Sequence, residues 1–130
     1  MTRKTAREEA FILIFEKYFN DCPTEEILEL AADVRDLKPD DYIETVFCGV
    51  FENLDKIDSL ISENAVGWKI ERISKTALSI LRLAIFEIEY IDDIPSAVSV
   101  DEAVELCKKY ATKEDASFVN GILSTVLKKL

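Results

Sequence analysis

The sequence contains no histidine, and its 130 residues include only three cysteines, three glycines and three prolines. Without histidine, the most common general base of enzymes is absent, and no glycine-rich phosphate loop is present either. Cys22, Cys48 and Cys107 are widely spaced and form no CxxC pair, so they indicate neither a metal site nor a disulfide framework. We therefore expect buried free thiols, no metal and no cofactor, and we predict that the protein is not an enzyme.

Long apolar runs are also absent, which excludes a membrane-spanning helix from the expected fold. The opening residues, MTRKTAREEA, carry charge where a signal peptide needs an apolar core. We therefore expect a cytoplasmic protein with no membrane partner. The length suits one domain with a real core, and we predict a single domain over residues 1–130.

Acidic residues outnumber basic ones, and the formal net charge is −10. Taken alone, this charge argues against nucleic acid, because phosphate binding requires lysine and arginine. The bases are unevenly placed, however: Arg3, Lys4 and Arg7 open the chain before any acid, and Lys108 and Lys109 are adjacent. These positions indicate either a local basic face that steers an anionic ligand or ordinary solvated faces of helices.

Apolar residues recur at helical spacing nearly throughout the chain, and no segment alternates as a strand would. Residues 75–90, KTALSILRLAIFEIEY, are apolar almost all round, which is typical of a central helix. The pattern predicts an all-α fold with about six or seven helices, arranged in two small bundles that share this central helix. The expected helix starts or caps are Thr5, Thr24, Pro39, Ser74, Ser99 and Ser117, with one long helix from Pro39 to Asn64.

Two local features raise further expectations. Asn120 and Gly121 interrupt an apolar helical stripe, and a glycine inside a helix costs about 1 kcal/mol relative to alanine. We expect close approach of a neighbouring helix at Gly121, whereas Asn120 is interpreted either as a capping or packing residue or as a ligand contact. Trp68, in the connector VGWKIERI, is expected to fill the space between the bundles.

Three stretches together resemble the bacterial transcription antitermination factor NusB family. They are RKTAREEAFILIF, ISKTALSILRLAIFEIEY and IPSAVSVDEAVELCKKYATKEDASFVNGIL, and the resemblance covers residues 3 to 127. It implies the all-helical NusB fold of two bundles. It also implies pairing with the ribosomal protein NusE and binding of boxA, a short single-stranded element of nascent RNA. Through these partners, NusB-like proteins help the RNA polymerase antitermination complex to pass terminators in ribosomal RNA operons.

The resemblance also implies site residues. The expected RNA contacts are Arg3, Lys4, Arg7, Lys108, Lys109, Tyr110, Phe118 and Asn120. Tyr110 and Phe118 are expected at one junction, where bases could stack on their rings while lysines meet the phosphates; a half-buried structural tyrosine is the alternative for Tyr110. On the central helix, a polar stripe is a candidate surface for docking NusE, and its residues are Lys75, Arg82, Phe86 and Glu89.

Two other functions remain open at this point. The chain could be a helical protein–protein adaptor that has lost RNA binding, or an accessory domain for a separate RNA methyltransferase. RNA binding through lysine and arginine predicts an affinity that falls steeply with salt, whereas an adaptor would bind NusE without any preference for boxA. The sequence does not predict the oligomeric state.

Overall fold

A computed structural model of the chain describes residues 1–38 and 40–129. Within these residues the chain forms seven α-helices and one short 3-10 turn, and no described residue lies in a strand. The helices are α1 (Arg3–Tyr18), α2 (Thr24–Arg35), α3 (Asp41–Glu52), α4 (Leu54–Asn64), α5 (Lys75–Tyr90), α6 (Ser96–Tyr110) and α7 (Lys113–Lys128), and the 3-10 turn is Ile70–Arg72.

Helix α5 lies at the centre of the fold. It packs against α1, α3, α4, α6 and α7, while α2 packs on α1 and α3. Every residue from 77 to 87 is buried, which explains why the sequence of this helix is apolar almost all round. The all-α class and the shared central helix predicted from the sequence are therefore confirmed.

Three helices begin earlier than the sequence predicted, and two of them are capped by an earlier threonine. Helix α1 is capped by Thr2, whose hydroxyl accepts a hydrogen bond from the amide of Thr5 at 3.1 Å. Helix α7 is capped by Thr112, whose hydroxyl accepts from the amide of Asp115 at 3.0 Å. The expected starts at Thr5 and Ser117 are wrong because another hydroxyl stands three or more residues earlier and satisfies a free amide there. Consequently Arg3 and Lys4 belong to the first turn of α1.

Helix α6 begins at Ser96, directly after Pro95, and not at Ser99. Proline fixes a backbone angle that suits a helix start. Ser99 is buried one turn further along, where its hydroxyl donates to the side chain of Glu87 at 2.8 Å. The predicted cap at Ser99 is therefore wrong, and its hydroxyl stabilises a tertiary contact instead.

The predicted long helix to Asn64 is two helices, because the chain bends at Asn53 (φ −118°, ψ 22°). The Asn53 side-chain amide donates to the backbone carbonyl of Gly49 at 2.9 Å, and asparagine often competes with the helix in this way. Pro39, the predicted start of that helix, lies outside the described residues. Helix α2 ends at Arg35, followed by Asp36 in the left-handed conformation (φ 54°).

Two helical glycines, Gly49 and Gly121, differ in the space around them. A Cβ added at Gly49 would lie 2.3 Å from two carbons of the Phe86 ring, whereas a Cβ at Gly121 would meet nothing within 4 Å. The expected close approach of a helix at Gly121 is therefore wrong, and the close approach is made at Gly49.

Gly49→Ala is expected to destabilise the protein, and Gly121→Ala is expected to stabilise it slightly. Overpacking a core costs about 1–3 kcal/mol, which outweighs the helix propensity of about 1 kcal/mol that alanine gains over glycine. At exposed Gly121 only the propensity gain remains. Urea unfolding of both variants measures the difference, and equal effects of the two changes would contradict this account of the α3–α5 contact.

Candidate nucleic-acid interface

The first turns of α1 and the end of α6 meet on one face of the protein. Lys109 Nζ lies 2.7 Å from Glu8 Oε1, and the hydroxyl of Tyr110 donates to the same oxygen. Lys4 Nζ lies 3.5 Å from Glu102 Oε2, and Lys4, Glu8, Glu102 and Lys109 line one groove. The structure thus brings together the N-terminal and C-terminal groups of predicted contacts, which are about a hundred positions apart in sequence.

Tyr110 is partly exposed, and its ring is fixed by contacts with α1. Its side chain packs on α1, with its ring centroid 5.1 Å from that of Phe11, and 37% of the residue remains accessible. The hydrogen bond to Glu8, followed by burial, raises the pKa of the Tyr110 hydroxyl, which keeps this group protonated. The ring is therefore held in one position while part of its surface stays open.

Glu8 is the acid at the centre of this groove. Hydrogen bonds from Lys109 and Tyr110 lower the pKa of the Glu8 carboxyl, and the bond to Glu8 raises the pKa of Lys109. The Lys109 side chain is largely exposed, and exposed ion pairs contribute little stability. A phosphate group can therefore replace the Glu8 carboxylate as the partner of Lys109 at small cost.

Arg7, a predicted RNA contact, is buried with only 3% of its surface exposed. Its Nε and Nη2 atoms donate to the two carboxylate oxygens of Glu87 at 2.8 and 3.3 Å. Burial lowers the pKa of Arg7, but the hydrogen bond and charge of Glu87 more than offset this and leave it raised. Arg7 therefore holds α1 to the central helix, and it lines the groove as an almost fully buried side chain.

Glu87 is the residue that the sequence reasoning missed. It is fully buried on α5 and also accepts hydrogen bonds from the hydroxyls of Tyr42 on α3 and Ser99 on α6. Burial, followed by the charge of Glu87, raises the pKa of Tyr42 far above its ordinary value, so this hydroxyl remains a donor. The available signal was an acid inside the apolar run LRLAIFEI, because a buried charge requires partners.

The remaining polar contacts predicted for RNA are exposed. The Arg3 guanidinium lies over the Tyr42 ring at 4.7 Å, and the side chain is exposed. Lys108 forms an exposed pair with Glu105 at 3.5 Å, and together with exposed Asn120 it lines a second groove between α6 and α7. These three residues are accessible to a ligand.

Phe118 faces a different neighbour from Tyr110. Since α7 begins at Lys113, Phe118 lies in its second turn, and its ring packs on Trp68 with centroids 5.6 Å apart. Tyr110 packs on Phe11 of α1 instead. The two rings therefore have different neighbours and do not form the pair that was expected at the α6–α7 junction. Trp68 does not fill the space between bundles either, because 55% of it is exposed.

The predicted stripe for partner docking on α5 is largely covered by other helices. Arg82 is buried, and its guanidinium donates to both carboxylate oxygens of Asp58 at 3.0 and 2.9 Å. Phe86 is buried against Gly49, and its ring centroid lies 5.0 Å from that of Tyr90. A continuous exposed stripe was the wrong expectation, because α3 and α4 pack onto this side of the central helix.

The two ends of that stripe stay accessible. Lys75 is exposed, with its Nζ 5.1 Å from the ring centroids of Tyr18 and Phe19. Glu89 is partly exposed near the other end of α5. Any docking surface on α5 therefore consists of separate patches at these two ends.

The three cysteines differ in exposure. All three were expected to be buried, but only Cys107 is. Burial raises the pKa of the Cys107 thiol to about 12, which keeps it protonated. Cys22 is exposed and Cys48 is partly buried, which corrects the expectation for these two. Among the described residues, no group of three or more acidic, cysteine or histidine side chains could hold a metal ion. None of the described helices is long and apolar enough to span a membrane.

The fold and this site define a class: a small all-helical protein with a central buried helix and a groove between two helix ends, lined by lysines and with a tyrosine bonded to one of its acids. The model of the NusB family matches residues 4–128. The chain therefore belongs to the NusB family.

Curated relatives and solved structures agree with this assignment. The chain is 46% identical to the transcription antitermination protein NusB of Natranaerobius thermophilus, across all of this chain and 97% of the relative. It is 42% identical to the protein of the same name from Ruminiclostridium cellulolyticum, across 98% and 90%.

Among solved structures, NusB of T. maritima is 34% identical with a TM-score of 0.84, covering 99% of this chain and 92% of that one. A crystal structure of the antitermination factors NusB and NusE in complex with dsRNA gives 25% identity and a TM-score of 0.87, covering 98% and 97%.

Proposed function

We propose that this chain is a transcription antitermination factor that binds boxA-type single-stranded RNA together with the ribosomal protein NusE, within an RNA polymerase antitermination complex in ribosomal RNA operons. Family membership supports this function, as does the name of its curated relatives. Bacterial transcription takes place in the cytoplasm, so the proposed function implies that compartment.

The observation that carries the RNA-binding part is that Lys4 and Lys109 line one groove and that Tyr110, beside it, donates a hydrogen bond to Glu8 of the same groove. Single-stranded RNA is typically held by aromatic rings that stack on bases and by cations that meet the backbone. Here the partly exposed Tyr110 ring supplies the stacking surface. Lys109 and Lys4 exchange their carboxylate partners, Glu8 and Glu102, for phosphate oxygens.

In this function Arg7 acts on the position of other residues. Its buried pair with Glu87 fixes the first turns of α1 against α5, and these turns carry Arg3 and Lys4. An ordered helix turn presents its cations with less loss of side-chain and backbone freedom than a disordered arm would. The net charge of −10 does not decide RNA binding, because binding depends on the local groups, and three basic and three acidic residues line this groove.

NusE is the proposed protein partner. The exposed ends of α5, marked by Lys75 and Glu89, remain candidate contacts for it. Arg82 and Phe86, being buried, would act only by supporting the helix surface.

The salt dependence of binding tests the role of the groove. Affinity for a labelled boxA-type RNA, with NusE present, is measured across salt concentrations for wild type and for Lys4→Ala/Lys109→Ala. Each lysine that meets a phosphate should reduce the steepness of log affinity against log salt by about 0.7. The matched control is Lys56→Ala on α4, an exposed lysine whose ammonium lies 5.5 Å from the Tyr90 ring centroid. An unchanged slope in the double variant would remove these two lysines from the RNA site.

A further inference from the structure

Glu8 joins the two helices that form the groove. One of its carboxylate oxygens, Oε1, accepts hydrogen bonds from Lys109 Nζ at 2.7 Å and from the hydroxyl of Tyr110. Both donors lie at the end of α6, whereas Glu8 lies in the second turn of α1. A single acid from one helix therefore fixes the relative position of two predicted RNA contacts from another.

The two donors on this oxygen are suited to an RNA phosphate. An ammonium and a phenolic hydroxyl both donate to anionic oxygens, and 60% of the Lys109 side chain is accessible, against 26% of the Glu8 side chain. The carboxylate oxygen thus occupies a position that suits a phosphate oxygen with the same two donors. Two anions do not share this position, because like charges in contact repel.

The other two acids of the groove are placed differently. Glu102 lies 3.5 Å from Lys4 and also 3.8 Å from the buried guanidinium of Arg7, so its charge is shared between two cations. Glu105 pairs at 3.5 Å with a lysine that does not line this groove. Glu8 is therefore the acid that competes most directly for a single exposed lysine of the groove.

We propose that Glu8 is a positioning residue that also limits RNA affinity: it holds Lys109 and Tyr110 together in the RNA-free chain, and its negative charge competes with the phosphate that these two groups bind. The inference rests on the proposed function and adds to it the residue that sets affinity at this groove. Binding exchanges one anion for another, so Lys109 contributes less than a lysine without a partner would. Removing the charge of Glu8 while keeping its hydrogen-bond acceptor should therefore tighten binding.

Glu8→Gln and Glu8→Ala separate the two roles. Glutamine keeps the length of the side chain and an oxygen acceptor but removes the charge, whereas alanine removes both charge and acceptor. The matched control is Glu16→Gln, which makes the same change of charge eight residues further along α1, where Glu16 pairs with Arg35 at 3.5 Å. Affinity for labelled boxA-type RNA is measured by fluorescence anisotropy with NusE present, across salt concentrations, and the stability of each variant is measured by urea unfolding.

We expect Glu8→Gln to bind the RNA about 2- to 5-fold more tightly than wild type, the range for one exposed ion pair. Its affinity should also fall more steeply as salt is raised, because the groove is then more positive. Glu8→Ala should bind more weakly than Glu8→Gln, since Tyr110 and Lys109 lose their common acceptor. Glu16→Gln should match wild type, because its charge lies about 12 Å further along the helix, beyond the screening distance of about 8–10 Å.

The coupling between Glu8 and Lys109 provides a second measurement. In a Lys109→Ala background, Glu8→Gln should change RNA affinity by a smaller factor than it does in wild type, because no ammonium remains for the carboxylate and the phosphate to compete for. A purely structural role of Glu8 predicts neither this coupling nor the steeper dependence on salt.

Two results would overturn the inference and leave the proposed function standing. One is equal RNA affinity and equal salt dependence for Glu8→Gln and wild type. The other is weaker RNA binding by Glu8→Gln than by wild type, which would make the carboxylate a favourable part of the RNA contact. If the wild-type chain with NusE binds no RNA at all, both the inference and the proposed function are overturned.

Discussion

Arg7→Ala is expected to destabilise the protein by about 3–5 kcal/mol, because it leaves the fully buried carboxylate of Glu87 without its cationic partner. Desolvation makes an unpaired buried charge far more costly than the pair itself is favourable. Tyr42 and Ser99 would still donate to Glu87, but neither supplies a positive charge. Chemical unfolding in urea measures the loss.

The matched control is a second pair that involves α1. Glu9 lies 3.6 Å from Arg35, with about a third of each side chain exposed. Glu9→Ala should cost no more than about 1 kcal/mol, since exposed ion pairs contribute little. If Arg7→Ala costs as little as Glu9→Ala, the buried network does not hold α1, α3, α5 and α6 together.

Leu81→Ala is expected to destabilise the protein by about 2–5 kcal/mol. Leu81 lies on the central helix, is fully inaccessible to solvent, and belongs to the main core cluster. Truncation removes buried methyl groups and leaves a cavity that helices packed on several sides cannot close.

Leu30→Ala provides the same chemical change at an exposed helical position on α2. A surface substitution of this kind should stay within about 0.5 kcal/mol. Thermal or urea unfolding of the two variants separates burial from any general effect of leucine removal. Equal stabilities would be incompatible with α5 as the centre of the core.

The sequence predicted the central helix well because burial on all sides leaves a direct trace in composition, as in KTALSILRLAIFEIEY. Helix starts were predicted less well. Thr2 and Thr5 both carry hydroxyls that can cap a helix, and local sequence does not decide which of them does so. Likewise, Thr112 rather than Ser117 caps α7, so Phe118 lies in the second turn of the helix and not at its start.

In the candidate site, too, some features could be predicted from the sequence and others could not. Lys4, Lys109 and Tyr110 could be predicted from the resemblance. The structure places the two lysines in one groove and Tyr110 beside it, bonded to Glu8. The burial of Arg7 could not be predicted, since it depends on Glu87, a residue 80 positions away in sequence. Periodicity assigns residues to faces of one helix, but only the packing of several helices decides which charged groups become partners.

The most direct measurement of the central claim is a titration of labelled boxA-type single-stranded RNA with the wild-type chain, with and without NusE. The same RNA annealed to its complement serves as the comparison, because stacking on Tyr110 requires unpaired bases. We expect the chain and NusE together to bind the single strand more tightly than the chain alone, more tightly than the duplex, and with an affinity that falls steeply as salt is raised. Binding of NusE with no detectable affinity for the single-stranded RNA, at low salt and with both proteins present, would contradict the account and favour a protein–protein adaptor.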